Sequence, residues 1–283
     1  MLCVTGSERT TSAWLKRVEL ADAKVRAHGQ AAPLHEFRLD ALAAIDTEAF
    51  DAIENHRARV VVCCRPTRQG GGYRGSEPAR LEALMLAAKR RPAWLDLEGD
   101  LDLEAFDAFR RVSSRTDSSN ATNLIASWHD FHPSPLPPSE RVRDLAARRP
   151  ALVKLAVAVD DARELTALAR AFDGVGVPHV LVAMGAAGYL TRSHYRAFGS
   201  AFTYVSASHA LATAPGQFDL DHALAMGLPA SAEAPVFGLV GGPQILHSPG
   251  LRIHNRVFRS RGLASSYVPI VTRSLHDTLP LLE

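Results

Sequence analysis

Between residue 1 and about residue 227, short apolar runs of strand character alternate with helical stretches eight times. Strands separated by helices cannot fold back as hairpins; they run parallel, joined by crossovers. Strands are predicted at 2–5, 34–39, 60–64, 94–98, 123–128, 151–159, 179–184 and 201–206. Helices are predicted at 11–28, 47–55, 77–91, 101–112, 139–149, 160–172, 191–198 and 220–226. The repeat and its length match an α/β chain folded as a (β/α)8 TIM barrel. An open doubly wound sheet is the alternative, and its nucleotide-binding form is disfavoured because no G-x-G-x-x-G follows the first strand.

One strand carries a chemical oddity. In Ala151-Leu-Val-Lys-Leu-Ala-Val-Ala-Val159 a single lysine interrupts an apolar run. Lys154 either reaches the end of the sheet or sits desolvated, where a lowered pKa suits an amine to attack a carbonyl.

Side-chain parity turns that oddity into a site. Along a strand, alternate residues face the same side. Glu36 and Arg38, Cys63 and Arg65, Asp96 and Glu98, Ser127 and His129, and Lys154 all share the parity of a barrel interior. Phe37, Val62, Leu97, Trp128, Val153 and Leu155, on the opposite parity, are apolar and suit a face covered by helices. The polar members gather toward the C-terminal strand ends, where barrel active sites lie. Asp96 and Glu98 read as carboxylates that pin neighbouring basic residues. The glycines after Arg65 (70–72 and 75) lack a P-loop pattern and read as a loop covering a substrate.

Composition excludes several classes of function. A formal charge of +2 without basic blocks gives no reason to expect nucleic acid or an anionic membrane as partner. Apolar stretches are too short for a membrane span, and no secretory signal is evident. Three cysteines form no disulfide or zinc framework, and the twelve histidines include no metal-binding spacing. These features predict a cytoplasmic protein acting on a small molecule without a metal or other cofactor.

In order along the chain, Glu36-Phe-Arg38-Leu-Asp40, Cys64-Arg65-Pro66, Asp96-Leu-Glu98, Ser127-Trp-His129-Asp130-Phe131, Val153-Lys154-Leu-Ala156, Met184-Gly185-x-x-Gly188-x-x-x-Arg192 and Ala214-Pro215-Gly216-Gln217 resemble type I 3-dehydroquinate dehydratases. The resemblance covers residues 1 to about 227. It implies that Lys154 forms a Schiff base with the substrate ketone, that His129 moves the proton, and that Glu36 hydrogen-bonds His129. It further implies that Arg192 binds the substrate carboxylate and that Arg38, Arg65 and Gln217 contact or organise the substrate. The arginines are expected to disfavour a protonated Lys154 before substrate binds. Gln69 stands where the family usually has glutamate, and Thr213 where it has serine; both are expected to touch substrate binding. The reaction implied is 3-dehydroquinate to 3-dehydroshikimate and water, in aromatic amino acid biosynthesis. Members are often dimers, so a homodimer is expected. A non-catalytic module binding metabolites of the same pathway is the alternative, and a class I aldolase would share only the lysine.

Residues 228–235 read as a linker, and 236–283 as a partial α/β segment. Gly242-Pro-Gln-Ile-Leu-His247-Ser248-Pro-Gly250, His254-Asn255-x-x-Phe258 and Tyr267-Val-Pro269 resemble the opening of shikimate dehydrogenase, with Ser248 matching a substrate-binding serine. This segment stops before that family's nicotinamide-binding part and is expected to lack dehydrogenase activity alone. It is expected to pack on the barrel or to be loosely ordered.

Overall fold

The computed structural model describes residues 1–114, 121–131, 136–228 and 234–282. Eight parallel strands form one sheet: β1 (Leu2–Thr5), β2 (Leu34–Arg38), β3 (Val60–Cys63), β4 (Trp94–Glu98), β5 (Asn123–Asp130), β6 (Leu152–Ala158), β7 (His179–Met184) and β8 (Thr203–Ser206). From β1 to β7 each pairs with the next in sequence, and β1 also pairs with β8. Between β7 and β8 the barrel closes through a single bridge, His179 to Ser200, where the Leu181 N–H donates to Ser200 Oγ at 2.9 Å. This is a nearly closed (β/α)8 barrel.

The intervening helices are α1 (Thr11–Ala27), α2 (Thr47–Asn55), α3 (Glu77–Lys89), α4 (Leu103–Ser113), α5 (Pro138–Ala147), α6 (Glu164–Arg170), α7 (Tyr189–Ser193) and α8 (Leu220–Ala225). Local sequence sets their starts. Thr10, Asp46, Ser76, Asp102 and Asp219 each accept a hydrogen bond from a first-turn N–H, satisfying a donor that the helix itself cannot.

Two apolar cores follow from the alternation along the strands. The inner one fills the barrel with Cys3, Leu34, Val61, Ile125, Leu152, Val180 and Phe202. The outer one lies between sheet and helices and takes the opposite parity, including Phe37, Val62, Leu97, Val153 and Leu155. The inner core plugs the N-terminal half of the barrel, so inward residues further along each strand are left to line its mouth.

Some predicted bounds shift. β5 runs on to Asp130, so His129 lies within the strand. The helix expected over 160–172 is regular only from Glu164 to Arg170, and the one expected over 191–198 only from Tyr189 to Ser193.

The linker expected over 228–235 falls largely outside the described residues. Beyond it, β9 (Val236–Gly241) and β10 (Ser266–Val271) form a separate two-stranded parallel sheet, crossed by α9 (Pro249–Ser260) and followed by α10 (Leu275–Leu282). This segment docks on the barrel. Asp161, in the turn after β6, accepts from Thr272 Oγ1 at 2.8 Å and from the Arg273 N–H at 3.0 Å, while the Ala162 N–H donates to Val271 O at 2.9 Å. β10 is buried by this docking, and β9 remains half exposed.

Candidate active site

The register of β5 against β6 places Ser127 beside Lys154 and His129 beside Ala156. His129 therefore stands two residues, roughly 6–7 Å, nearer the mouth than Lys154. Both side chains point inward, and both line a recess at the C-terminal end of the barrel with Glu36, Arg65, Arg192, Tyr204, Thr213 and Gln217. Phe131, Val182 and Met184 supply apolar walls.

Lys154 is buried, and its Nζ donates to Asp96 Oδ2 at 2.8 Å, with Glu36 Oε1 at 4.0 Å. The Tyr204 ring lies under the same nitrogen, 4.2 Å from Nζ to the ring centroid. Asp96 also faces Arg65 at 3.4 Å. Burial works against its charge, but Lys154 and Arg65 overcome that cost and hold its carboxyl below the usual range. The charges paired with the lysine are thus carboxylates, whereas the sequence suggested an amine facing arginines. Asp96, read as a pinning carboxylate, touches the candidate nucleophile itself.

Glu36 is fixed from both sides of its strand. Outside, Trp14 Nε1 and Arg17 of α1 donate to its backbone carbonyl at 3.0 and 2.7 Å. Inside, its carboxylate accepts from the Thr5 hydroxyl and, at 3.8 Å, from the Cys63 thiol. The hydrogen bond to His129 implied by the resemblance is not formed. Among the described residues neither ring nitrogen of His129 has a hydrogen-bond partner, and Glu36 is turned toward Thr5, Cys63 and Lys154. Burial, reinforced by Arg65, Lys154 and Arg38, drives the His129 pKa well below its ordinary value, so the imidazole is neutral.

Arg192, on the short helix α7, is buried to 1% exposure. Its Nη2 donates to Pro215 O at 3.4 Å, its Nε has no partner among the described residues, and burial lowers its pKa to about 10. A desolvated guanidinium with unmet donors at a cavity wall is built to receive an anion. Thr213 donates its N–H and hydroxyl to Gln217 Oε1 at 2.8 and 3.2 Å, and both residues line the recess. Gly216 allows that loop its course: φ is +70°, and a Cβ there would meet Gly185 O at 2.3 Å.

Arg38 and Gln69 are not among the residues lining the recess. Arg38 pairs with Asp40, whose carboxylate also accepts the Gly72 N–H at 2.9 Å, so it organises the glycine loop. Gln69 Oε1 accepts the His129 backbone N–H at 3.1 Å and steadies the histidine from behind. Next to it Gly70, with φ +73°, lies against Phe131, where a Cβ would fall 2.1 Å from the ring. Among the described residues no group of three His, Cys, Asp or Glu side chains is placed to hold a metal, and no helix is long and apolar enough to cross a membrane.

The model of the type I 3-dehydroquinase family matches residues 12–226. The chain belongs to this family. A 3-dehydroquinate dehydratase from Syntrophobacter fumaroxidans is 34% identical over 197 residues, covering 65% of this chain and 81% of that protein. The structure of 3-dehydroquinate dehydratase from Geobacillus kaustophilus superposes with a TM-score of 0.65 at 21% identity, over 79% of this chain and 88% of that one. The dehydroquinate dehydratase and shikimate dehydrogenase from S. pombe superposes with a TM-score of 0.63 at 19% identity, over 100% of this chain and 54% of that one. These structural likenesses speak to the fold.

Within this dehydroquinase barrel, sequence reasoning passed over Thr5 and Tyr204. Tyr204 shares its inward parity with Phe202 and Ser206, so the alternation that exposed Lys154 could have flagged it. An aromatic residue in an apolar strand reads first as core, and only its position under Nζ sets it apart.

Proposed function

We propose that this chain is a Schiff-base-forming dehydratase that converts 3-dehydroquinate to 3-dehydroshikimate and water in the shikimate pathway. The observation that carries the reading is one recess holding a buried amine, a neutral imidazole and a buried guanidinium, the last two having, among the described residues, no ring-nitrogen partner and no carboxylate respectively. Elimination of water from a β-hydroxy ketone requires a proton to leave the carbon next to the carbonyl. An iminium at Lys154 is a better electron sink than the ketone, so the amine lowers that barrier. His129, kept neutral, is the group to take the proton and to return one to the departing hydroxyl. Arg192 grips the substrate carboxylate, and Gln217 and Arg65 contact the rest of the molecule. Thr213 holds Gln217, while Arg38 and Gln69 act through the glycine loop and the His129 backbone. Glu36, bonded to Thr5, orders Lys154 and Arg65.

The domain reading is a dehydroquinase barrel over 1–227, a linker over 228–235 and a partial shikimate dehydrogenase-like segment over 236–283. Its support is the parallel β9–α9–β10 unit with Ser248 at the start of α9, where its Oγ accepts the Gly250 N–H at 3.2 Å. In fold, the overlap with the S. pombe structure runs along the full chain.

Borohydride reduction in the presence of 3-dehydroquinate tests the activity. A stable adduct is expected on Lys154 in the wild type and none in Lys154→Ala. Binding without an adduct or a conjugated product would overturn the enzyme in favour of a metabolite-binding module.

A further inference from the structure

We propose that the face of the Tyr204 ring holds the Lys154 nitrogen in its cationic form after the imine has formed, making Tyr204 part of the device that keeps the electron sink protonated. The proposal rests on the Schiff-base reading above.

The geometry supplies the contact. Nζ lies 4.2 Å from the ring centroid, within the range where a cation is attracted to an aromatic face. Both side chains are buried and both line the recess, so the attraction acts with little water between them. Asp96 from β4 accepts from Nζ at 2.8 Å, and Glu36 from β2 lies at 4.0 Å. Arg65 after β3, His129 on β5, Cys3 on β1, Cys63 on β3 beside Glu36 and Arg192 on the recess wall are the further titratable and charged groups of this region among the described residues.

The chemistry shows why a ring is needed beside a carboxylate. In the overall step an ammonium and a ketone give an iminium and water. The C–N bond forms, the C=O bond breaks, and oxygen leaves as water carrying two of the three ammonium protons. Positive charge stays on nitrogen, but three N–H donors become one. A hydrogen bond to Asp96 then depends on where that single N–H points, and Asp96 is already shared with Arg65. Attraction to the ring face depends on charge and distance and survives the loss of two donors. If the iminium deprotonates, the neutral imine left behind is a poor sink, and the carbon acid beside it is no longer activated.

Replacement by phenylalanine, then by its mono-, di- and trifluorinated forms at position 204, tests this. Fluorine drains the ring face while almost preserving shape, so the fold is retained across the series. Tyr204→Phe is expected to keep the alkaline limb of kcat in place. Successive fluorines are expected to move that limb stepwise to lower pH, reaching about one unit, a tenfold change in proton affinity. Borohydride trapping at Lys154, read above neutral pH, is expected to fall in parallel. A limb that stays put across the fluorinated series overturns the proposal. So does a Tyr204→Phe shift as large as the trifluorinated one, which would assign the effect to the hydroxyl. Absence of any adduct in the wild type would instead overturn the Schiff-base reading itself.

Discussion

Gln69 reaches across 60 residues of sequence to hold the backbone of His129. A glutamate there would accept the same N–H with a charged oxygen and place negative charge beside an imidazole now pressed neutral by burial, Arg65 and Lys154. The pKa of His129 should therefore rise toward its ordinary value. Gln69→Glu is expected to move the acid limb of kcat to higher pH by up to about one unit and to change KM as the glycine loop shifts. Identical pH profiles and KM in the two forms would show that position 69 has no such influence. Sequence made Lys154, His129 and Glu36 visible because charged residues at inward parity are conspicuous. The direction in which Glu36 turns was not legible, since it depends on Thr5 and Cys63 from two neighbouring strands. Arg38 likewise finds Asp40 only because the turn at Leu39–Ala41 brings the two together.

At the scale of elements, the turn after β6 shows a tertiary partner overriding a local preference. Helical spacing runs from Asp160, yet regular helix begins only at Glu164. Residues 160–163 are instead drawn into a socket for the end of β10. Asp161, itself buried, accepts from the Arg163 N–H, the Thr272 hydroxyl and the Arg273 N–H at 2.8–3.1 Å. His194 of the barrel adds a contact to Ser266 at the start of β10, at 3.1 Å. Pairing between segments more than a hundred residues apart has no local signature, so the periodicity could not reveal it. Asp161→Ala leaves the Arg163 and Arg273 N–H groups without their acceptor, while the Thr272 hydroxyl keeps Ser274 O at 3.1 Å, and should weaken docking by about 1–3 kcal/mol. Limited proteolysis and amide exchange are expected to show residues 236–282 opening first, with dehydratase turnover retained. Unchanged exchange in β10 would mean that burial of Val268, Ile270 and Val271, with the Ala162–Val271 and His194–Ser266 hydrogen bonds, holds the segment without Asp161.

For the whole molecule, the alternation of strands and helices was enough to read the barrel, because a buried parallel sheet permits few other closures. How its stability responds to pH was not legible, since that depends on which histidines the fold buries. His35 bonds Asp22 at 2.8 Å, and His194 bonds Ser193 and Ser266 at 3.0 and 3.1 Å. Burial lowers both pKa values from 6.5 to about 4. Above pH 6.5 each is neutral whether the chain is folded or not, and neither affects stability. As pH falls, the unfolded chain takes up protons that the folded one refuses, so stability is lost between pH 6.5 and about 4. At pH 5 that amounts to roughly 2 kcal/mol for each histidine. Glu98 acts in the opposite sense over the same window. Burial raises it to about 7 despite Arg80, so the folded chain binds its proton first and gains stability as pH falls. Wild-type melting alone therefore mixes the two effects, whereas a variant comparison separates them. The double variant His35→Gln with His194→Gln should be less stable than wild type at pH 7.5, where it loses packing. That deficit should shrink by about 4 kcal/mol at pH 5, on the order of 10 °C in melting temperature. A deficit of the same size at both pH values would mean that these histidines are protonated inside the folded barrel.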